Sequence, residues 1–149
     1  MSVCTALLNS EAHNGSRVTI RGVLNSTDEG AWLVDESCTS DARTVWPMRI
    51  WLEMRRGDRT DEEFAKLVRN AAKISEELRA KRYDPSRDRV LLTVTGRFSA
   101  IDRNAGSSRT VLTNGFGHMN AAPAEILVES ESDLSVERVG SRSAKRPVK

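Results

Sequence analysis

Two strand-like runs of this chain carry guanidinium and indole groups on one parity, and recognition chemistry is the first thing they suggest. In Arg17–Leu24, the residues Val18, Ile20, Gly22 and Leu24 alternate with Arg17, Thr19, Arg21 and Val23. In Met48–Met54, the residues Met48, Ile50, Leu52 and Met54 alternate with Arg49, Trp51 and Glu53. A two-residue period sends alternate side chains to opposite faces of a strand, so Arg21, Arg49 and Trp51 point away from the apolar side. An aromatic ring beside guanidinium groups can stack a base or a sugar ring. The plainer reading, and the preferred one, leaves Trp51 covered by the long helix or by the Thr39–Trp46 segment. Trp32 and Trp46 are likewise read as packing residues.

His118 sits in Asn114-Gly115-Phe116-Gly117-His118. It could act as a general base or ligand contact held on a glycine turn. The preferred reading is structural: a histidine tying a tight β-turn in which Gly115 and Gly117 supply positive φ. Cys4 and Cys38 are the only cysteines. If the N-terminal helix packs across the barrel end beside the segment after the second strand, the two could pair. A loop of that size stabilises by about 3–4 kcal/mol in the chain-entropy picture. The alternatives are two buried free thiols or one reactive thiol. Together with His13 and His118 they fail as a zinc site, because structural sites draw on close local pairs and none occurs. No strand–GxxxxGK–helix order and no Gly-x-Ser-x-Gly elbow is present, so neither a phosphate loop nor a serine-hydrolase elbow is implied. No cofactor follows from the sequence.

The elements that must position these groups come in a fixed order. Val3–Ala12 predicts a short helix with Val3, Leu7 and Leu8 on one side, stopped at Asn14-Gly15. The strand from Arg17 follows, then a turn-rich loop over Asn25–Gly30, a short strand Ala31–Asp35, a polar segment Glu36–Val45 and the strand Met48–Met54. Thr60–Arg82 predicts a long helix: Thr60 and Glu63 form a capping box, and Asp61, Glu62 and Glu63 bring negative charge to its positive end. Phe64, Leu67, Val68, Ala71, Ile74 and Leu78 make one apolar stripe, expected to plug the barrel. Val90–Phe98 is the strongest strand, with Val90, Leu92, Val94, Gly96 and Phe98 inward. A loop over Asp102–Ser108, a Gly-rich turn over Asn114–Asn120 and a last strand Ala124–Glu129 complete the order, with Asp133–Val139 as a short edge extension.

At 149 residues the chain is one domain with room for a real core, and 38% hydrophobic against 30% charged residues describes a polar globular protein. No apolar run approaches the roughly 20 residues of a membrane-spanning helix. The net charge of +2 conceals an asymmetry. Arg142, Lys145, Arg146 and Lys149 in the tail 140–149 exceed that total, which leaves residues 1–139 at net −2. A mildly acidic body argues against phosphate neutralisation as the main business of the domain. The tail reads as a disordered, solvated basic arm.

Three strands, one long helix and two strands fit a five-stranded OB-like barrel. Cys4, Val18-Thr19-Ile20-Arg21-Gly22-Val23, Leu33-Val34-Asp35 and Cys38 resemble a group of small uncharacterised bacterial proteins with such a barrel. So do Val94-Thr95-Gly96-Arg97-Phe98 and Gly117-His118-Met119-Asn120, and the similarity runs from about Val3 to Leu134. It implies a mainly β fold, with the long helix between strands three and four and a short N-terminal helix. The relatives are often exported, which implies a periplasmic or secreted protein where a leader has been removed and a cytoplasmic one otherwise. Barrels of this kind bind over strands two and three and the loops beside them. The expectation is a non-enzymatic binding or interaction module with a protein or small-ligand partner, candidate contacts Arg21, Arg49, Trp51 and His118, and a candidate disulfide between Cys4 and Cys38. Single-stranded nucleic-acid binding is the alternative, and an enzyme using His118 the weakest reading.

Overall fold

Helix formation at the N-terminus is brief because the chain caps itself early. Ser2 accepts from the Thr5 amide and opens α1 (Val3–Leu8), and Asn9 closes it by donating its side-chain amide to the Thr5 carbonyl at 3.0 Å. Asparagine here offers the backbone a local alternative to further helix. A second short helix, α2 (Ser10–His13), follows, so the single helix expected over Val3–Ala12 is two. Val3, Ala6 and Leu7 are buried, while Leu8 is 59% exposed and not part of the apolar side. At 100° per residue, Leu8 lies well away from the face shared by Val3, Ala6 and Leu7. The computed structural model describes residues 1–35, 48–101, 116 and 122–139.

Gly15, with φ +84°, turns the chain into β1 (Arg17–Thr27). β1 pairs antiparallel with β2 (Gly30–Val34) from Val23–Val34 to Thr27–Gly30. The expected Asn25–Gly30 loop is therefore mostly hairpin, and only Asp28 and Glu29 remain unpaired between the strands. β3 (Arg49–Glu53) pairs antiparallel with β2, and Ile50 and Leu52 are buried as their parity requires. β4 (Asp88–Ala100) pairs along β1, burying Val90, Leu92, Val94, Gly96 and Phe98. β5 (Ala124–Arg138) pairs antiparallel with β4 over its whole length and parallel with β3 over Ala124–Leu127. The molecule is thus mainly β, a five-stranded sheet that closes on itself in the order β1-β2-β3-β5-β4.

The last strand is continuous through Ser130–Ser132, joining the expected Ala124–Glu129 to the edge extension expected from Asp133 and ending at Arg138. Residues 129–138 are rich in Glu, Ser and Asp, which carry little strand propensity of their own. Tertiary pairing with β4 holds them extended. Register shifts opposite Thr95–Gly96 and Leu91–Thr93 absorb the extra residues, and Asp133 adopts φ +53°. Past the first shift, Glu131 lies directly opposite the buried Val94. Directly paired residues share a face, so the Glu131 carboxyl turns inward. Its Oε1 is buried without a hydrogen-bond partner, and burial pushes its pKa up to about 7.

Between β3 and β4 runs α3 (Asp61–Ala80), opened by Thr60 with the full capping box: Thr60 Oγ1 accepts from the Glu63 amide, and Glu63 accepts from the Thr60 amide. The predicted stripe narrows in the structure. Leu67 is buried in the core, Phe64 and Ile74 pack partly against it, and Leu78 is half-buried. Val68 is 51% exposed and Ala71 is exposed. One helical edge, rather than a broad face, meets the sheet, and β5 receives most of that contact. None of the helices of the described residues is long and apolar enough to cross a membrane.

Candidate functional site

Trp32 and Trp51 are direct cross-strand partners on β2 and β3. Because Leu33, Ile50 and Leu52 fill the interior, their neighbours of opposite parity must face out. The two indoles lie nearly parallel, 12° apart in plane and 6.3 Å between centroids. Arg49, two residues before Trp51, places its guanidinium carbon 5.6 Å from the centre of the Trp32 ring, a cation–π contact. Gly30 lies against Trp51. A Cβ at residue 30 would overlap the six-membered ring of Trp51, so the indole lies directly on glycine backbone. Gly30 also adopts φ +149°, which L side chains rarely do.

Beside Trp51 opens a groove of about 650 Å³ whose lining includes Thr27, Glu29, Glu53 and Arg55. Glu53 follows Trp51 on the same outward parity and takes a forked contact from Arg55, with Nε at 3.0 Å and a terminal nitrogen at 2.7 Å. The Arg55 amide also donates to it, at 3.0 Å. These bonds hold the Glu53 carboxyl below the ordinary carboxylate range. On the far side of Trp51, the parallel pairing sets Glu125 of β5 directly opposite it. Burial pushes the Glu125 pKa up, and repulsion from Glu53 adds to the effect. The pKa values of Glu53 and Glu125 are therefore shifted in opposite directions within one patch: Arg55 grips the first carboxylate through a fork and acts on the second only through space.

A second cleft of about 460 Å³ lies across the β1–β2 hairpin, between Trp32, Leu78, Tyr83 and Asp88. Ser26 and Thr27 line both hollows, so the hairpin end forms the ridge between them. Asp88 is occupied structurally: it accepts from the Asp84 amide at 2.9 Å and faces Arg138 at 3.7 Å.

Of the residues singled out from sequence, the structure brings Arg49 and Trp51 together and separates Arg21 from them. Arg21 lies over β4 and β5 instead, donating to Thr93 Oγ1 at 3.0 Å, Ser135 Oγ at 3.0 Å and the Asp133 carbonyl at 2.6 Å. Its donors are engaged in tying three strands. His118 and Cys38 lie outside the described residues. No free thiol occurs among the described residues, Cys4 included. His13 packs edge-on against Phe98 at 6.5 Å. Trp32, read from sequence as packing, is the second half of the aromatic pair, and strand parity beside Leu33 was the signal for it. Glu125 carried no such signal, because its place beside Trp51 depends on a parallel pairing between distant segments.

No known protein family, curated protein or solved structure matches this chain.

Proposed function

We propose that this chain is an OB-like, non-enzymatic binding module whose protein or small-ligand partner lies across the outer face of β2 and β3. The observation that carries this reading is the Trp32–Trp51 pair: two nearly parallel indoles, Trp32 under Arg49 and Trp51 seated on Gly30, beside an open groove. Large apolar rings on the solvent side of a sheet are a recognition feature when they adjoin a concavity with a few fixed polar groups. The ring order of the strands, with α3 between β3 and β4, supports the OB-like assignment. In such folds, the second and third strands and the adjoining hairpin end form the binding face. That step is an analogy of fold, and the aromatic pair gives it local content.

Single-stranded nucleic acid is the second reading, favoured by Arg49 above parallel indoles, a base-stacking arrangement. Against it, Glu29 and Glu53 line the groove with Arg55 as its one cation among the described residues, Glu125 stands opposite Trp51, and Arg21 is engaged elsewhere. A phosphate chain would meet carboxylates there.

The test uses the full chain labelled at its indole nitrogens and a panel of probes: neutral hexasaccharides, an oligothymidine twelve-mer, and cationic, neutral and acidic pentapeptides. The expected result is that at least one class shifts the Trp32 and Trp51 indole signals and that Trp51→Ala abolishes the binding. A panel in which no class moves either signal ends this reading. Binding by the oligothymidine that falls steeply with salt decides for nucleic acid.

A further inference from the structure

The two indoles differ in one respect that selects a ligand. Trp32 has its own cation, Arg49, while the only other cation–π contact among the described residues is Arg56 on Phe64. Trp51 lines the groove without one. Around it stand the carboxylates of Glu53, on its own strand, and Glu125, its direct partner on β5. A ring quadrupole attracts cations over its face, and adjacent carboxylates add directly to that attraction. Anions are repelled by the same groups.

Resting on the binding-module reading, we infer that the groove beside Trp51 receives a cationic side chain, an arginine or lysine of a protein partner, held over the indole and between Glu53 and Glu125. The chain supplies a demonstration of the chemistry in Arg55. Its guanidinium already grips Glu53 through a forked contact while its own side chain is 87% exposed. Glu53 itself is only 13% exposed, so that carboxylate keeps a cation, and an incoming guanidinium can replace the exposed Arg55 by exchange. Arg55 is thus an internal competitor that moderates affinity. Glu125 has no hydrogen bond or ion pair among the described residues, and Arg55 offsets its charge only through space.

The experiment compares acetyl-Gly-Arg-Gly-Arg-Gly-amide with the same peptide carrying glutamine at both arginines, read by the indole signal of Trp51 in the full-length protein. The arginine peptide shifts that signal and the glutamine peptide does not. Glu125→Gln weakens binding by about tenfold, the size of a desolvated cation–carboxylate contact of somewhat over 1 kcal/mol. Arg55→Ala strengthens it several-fold by releasing Glu53, a gain that general damage to the fold could not produce. Cation binding also pulls the Glu125 pKa down, visible in its side-chain carboxyl carbon resonance. Equal shifts by the two peptides overturn the inference and leave the binding face standing. Binding of a neutral hexasaccharide or oligothymidine with no response to the arginine peptide does the same. No response to any probe overturns both.

Discussion

The benzo ring of Trp51 occupies the space where a side chain on residue 30 would begin, so Gly30 and Trp51 are a matched pair across β2 and β3. A Gly30→Ala protein must either move the indole or distort the hairpin, and it also inherits φ +149°. Overpacking and left-handed strain each cost about 1–3 kcal/mol. The expected outcome is a loss of about 2–4 kcal/mol in urea unfolding, on the same principles. A changed near-ultraviolet tryptophan signal should accompany it. An alanine protein with wild-type stability and spectrum would show that Trp51 does not depend on that glycine.

Arg21 is expected to be a structural strap. Its bonds to Thr93, Asp133 and Ser135 connect β1, β4 and the irregular half of β5. Charged hydrogen bonds are worth about 1.5–3 kcal/mol, and Arg21→Ala should lose stability on that scale while ligand shifts at the Trp51 indole are unchanged. Lysine should not restore it, since one ammonium cannot reproduce the fork.

Neighbouring residues of α3 should behave very differently. Leu67 is 3% exposed and Val68 is 51% exposed. Leu67→Ala should cost about 2–4 kcal/mol, through lost burial and a cavity. Val68→Ala should change stability by less than about 0.5 kcal/mol, as surface substitutions usually do. Equal effects of the two would mean that α3 docks through another edge.

Much of this architecture is legible in the residues themselves. Thr60 and Glu63 announce the start of α3, and strict alternation from Val90 to Phe98 gives β4 its inward set. The Arg49–Trp51 parity likewise puts both groups on the outer face. What the chain does not declare locally is pairing between distant segments. The Glu/Ser-rich run after Val128 shows in sequence only as a strand end at Glu129 and a short edge extension over Asp133–Val139, because its continuous extended form is imposed by β4 rather than by its own side chains. The same holds for Glu125, whose neighbour Trp51 is supplied by β3. On α3, Val68 lies at the outer edge of the apolar arc, beyond what the sheet covers, and is left in water.

The buried carboxyl of Glu131 predicts a pH dependence. Its pKa is raised from 4.5 to about 7 by burial, so the fold favours the neutral form. The contribution is intact below pH 4.5 and is lost as pH rises through about 7. Full ionisation removes about 3 kcal/mol, since each pH unit between those two values is worth about 1.4 kcal/mol. Urea midpoints measured from pH 5 to pH 8.5 should fall accordingly, and Glu131→Gln should flatten the trend. A wild-type profile already flat across that range contradicts the inward placement of this carboxyl.

For the cysteines, the expected state is a bond between Cys4 and Cys38. Alkylation of the denatured, unreduced protein should find no free thiol, and Cys4→Ser should lower stability by about 3–4 kcal/mol through a looser unfolded chain. Two labelled cysteines would remove the cross-link and the oxidising compartment it implies.

The parallel joint between Ile50–Glu53 and Ala124–Leu127 has a kinetic consequence. It joins segments far apart in the chain, and such contacts must await the closure of everything between them. Trp51 acquires Glu125 as a neighbour only when that joint forms. A chain in which it is still open lacks the proposed recognition surface, and binding at Trp51 should appear in refolding together with protection of the β3 amides, making it a report that the ring has shut.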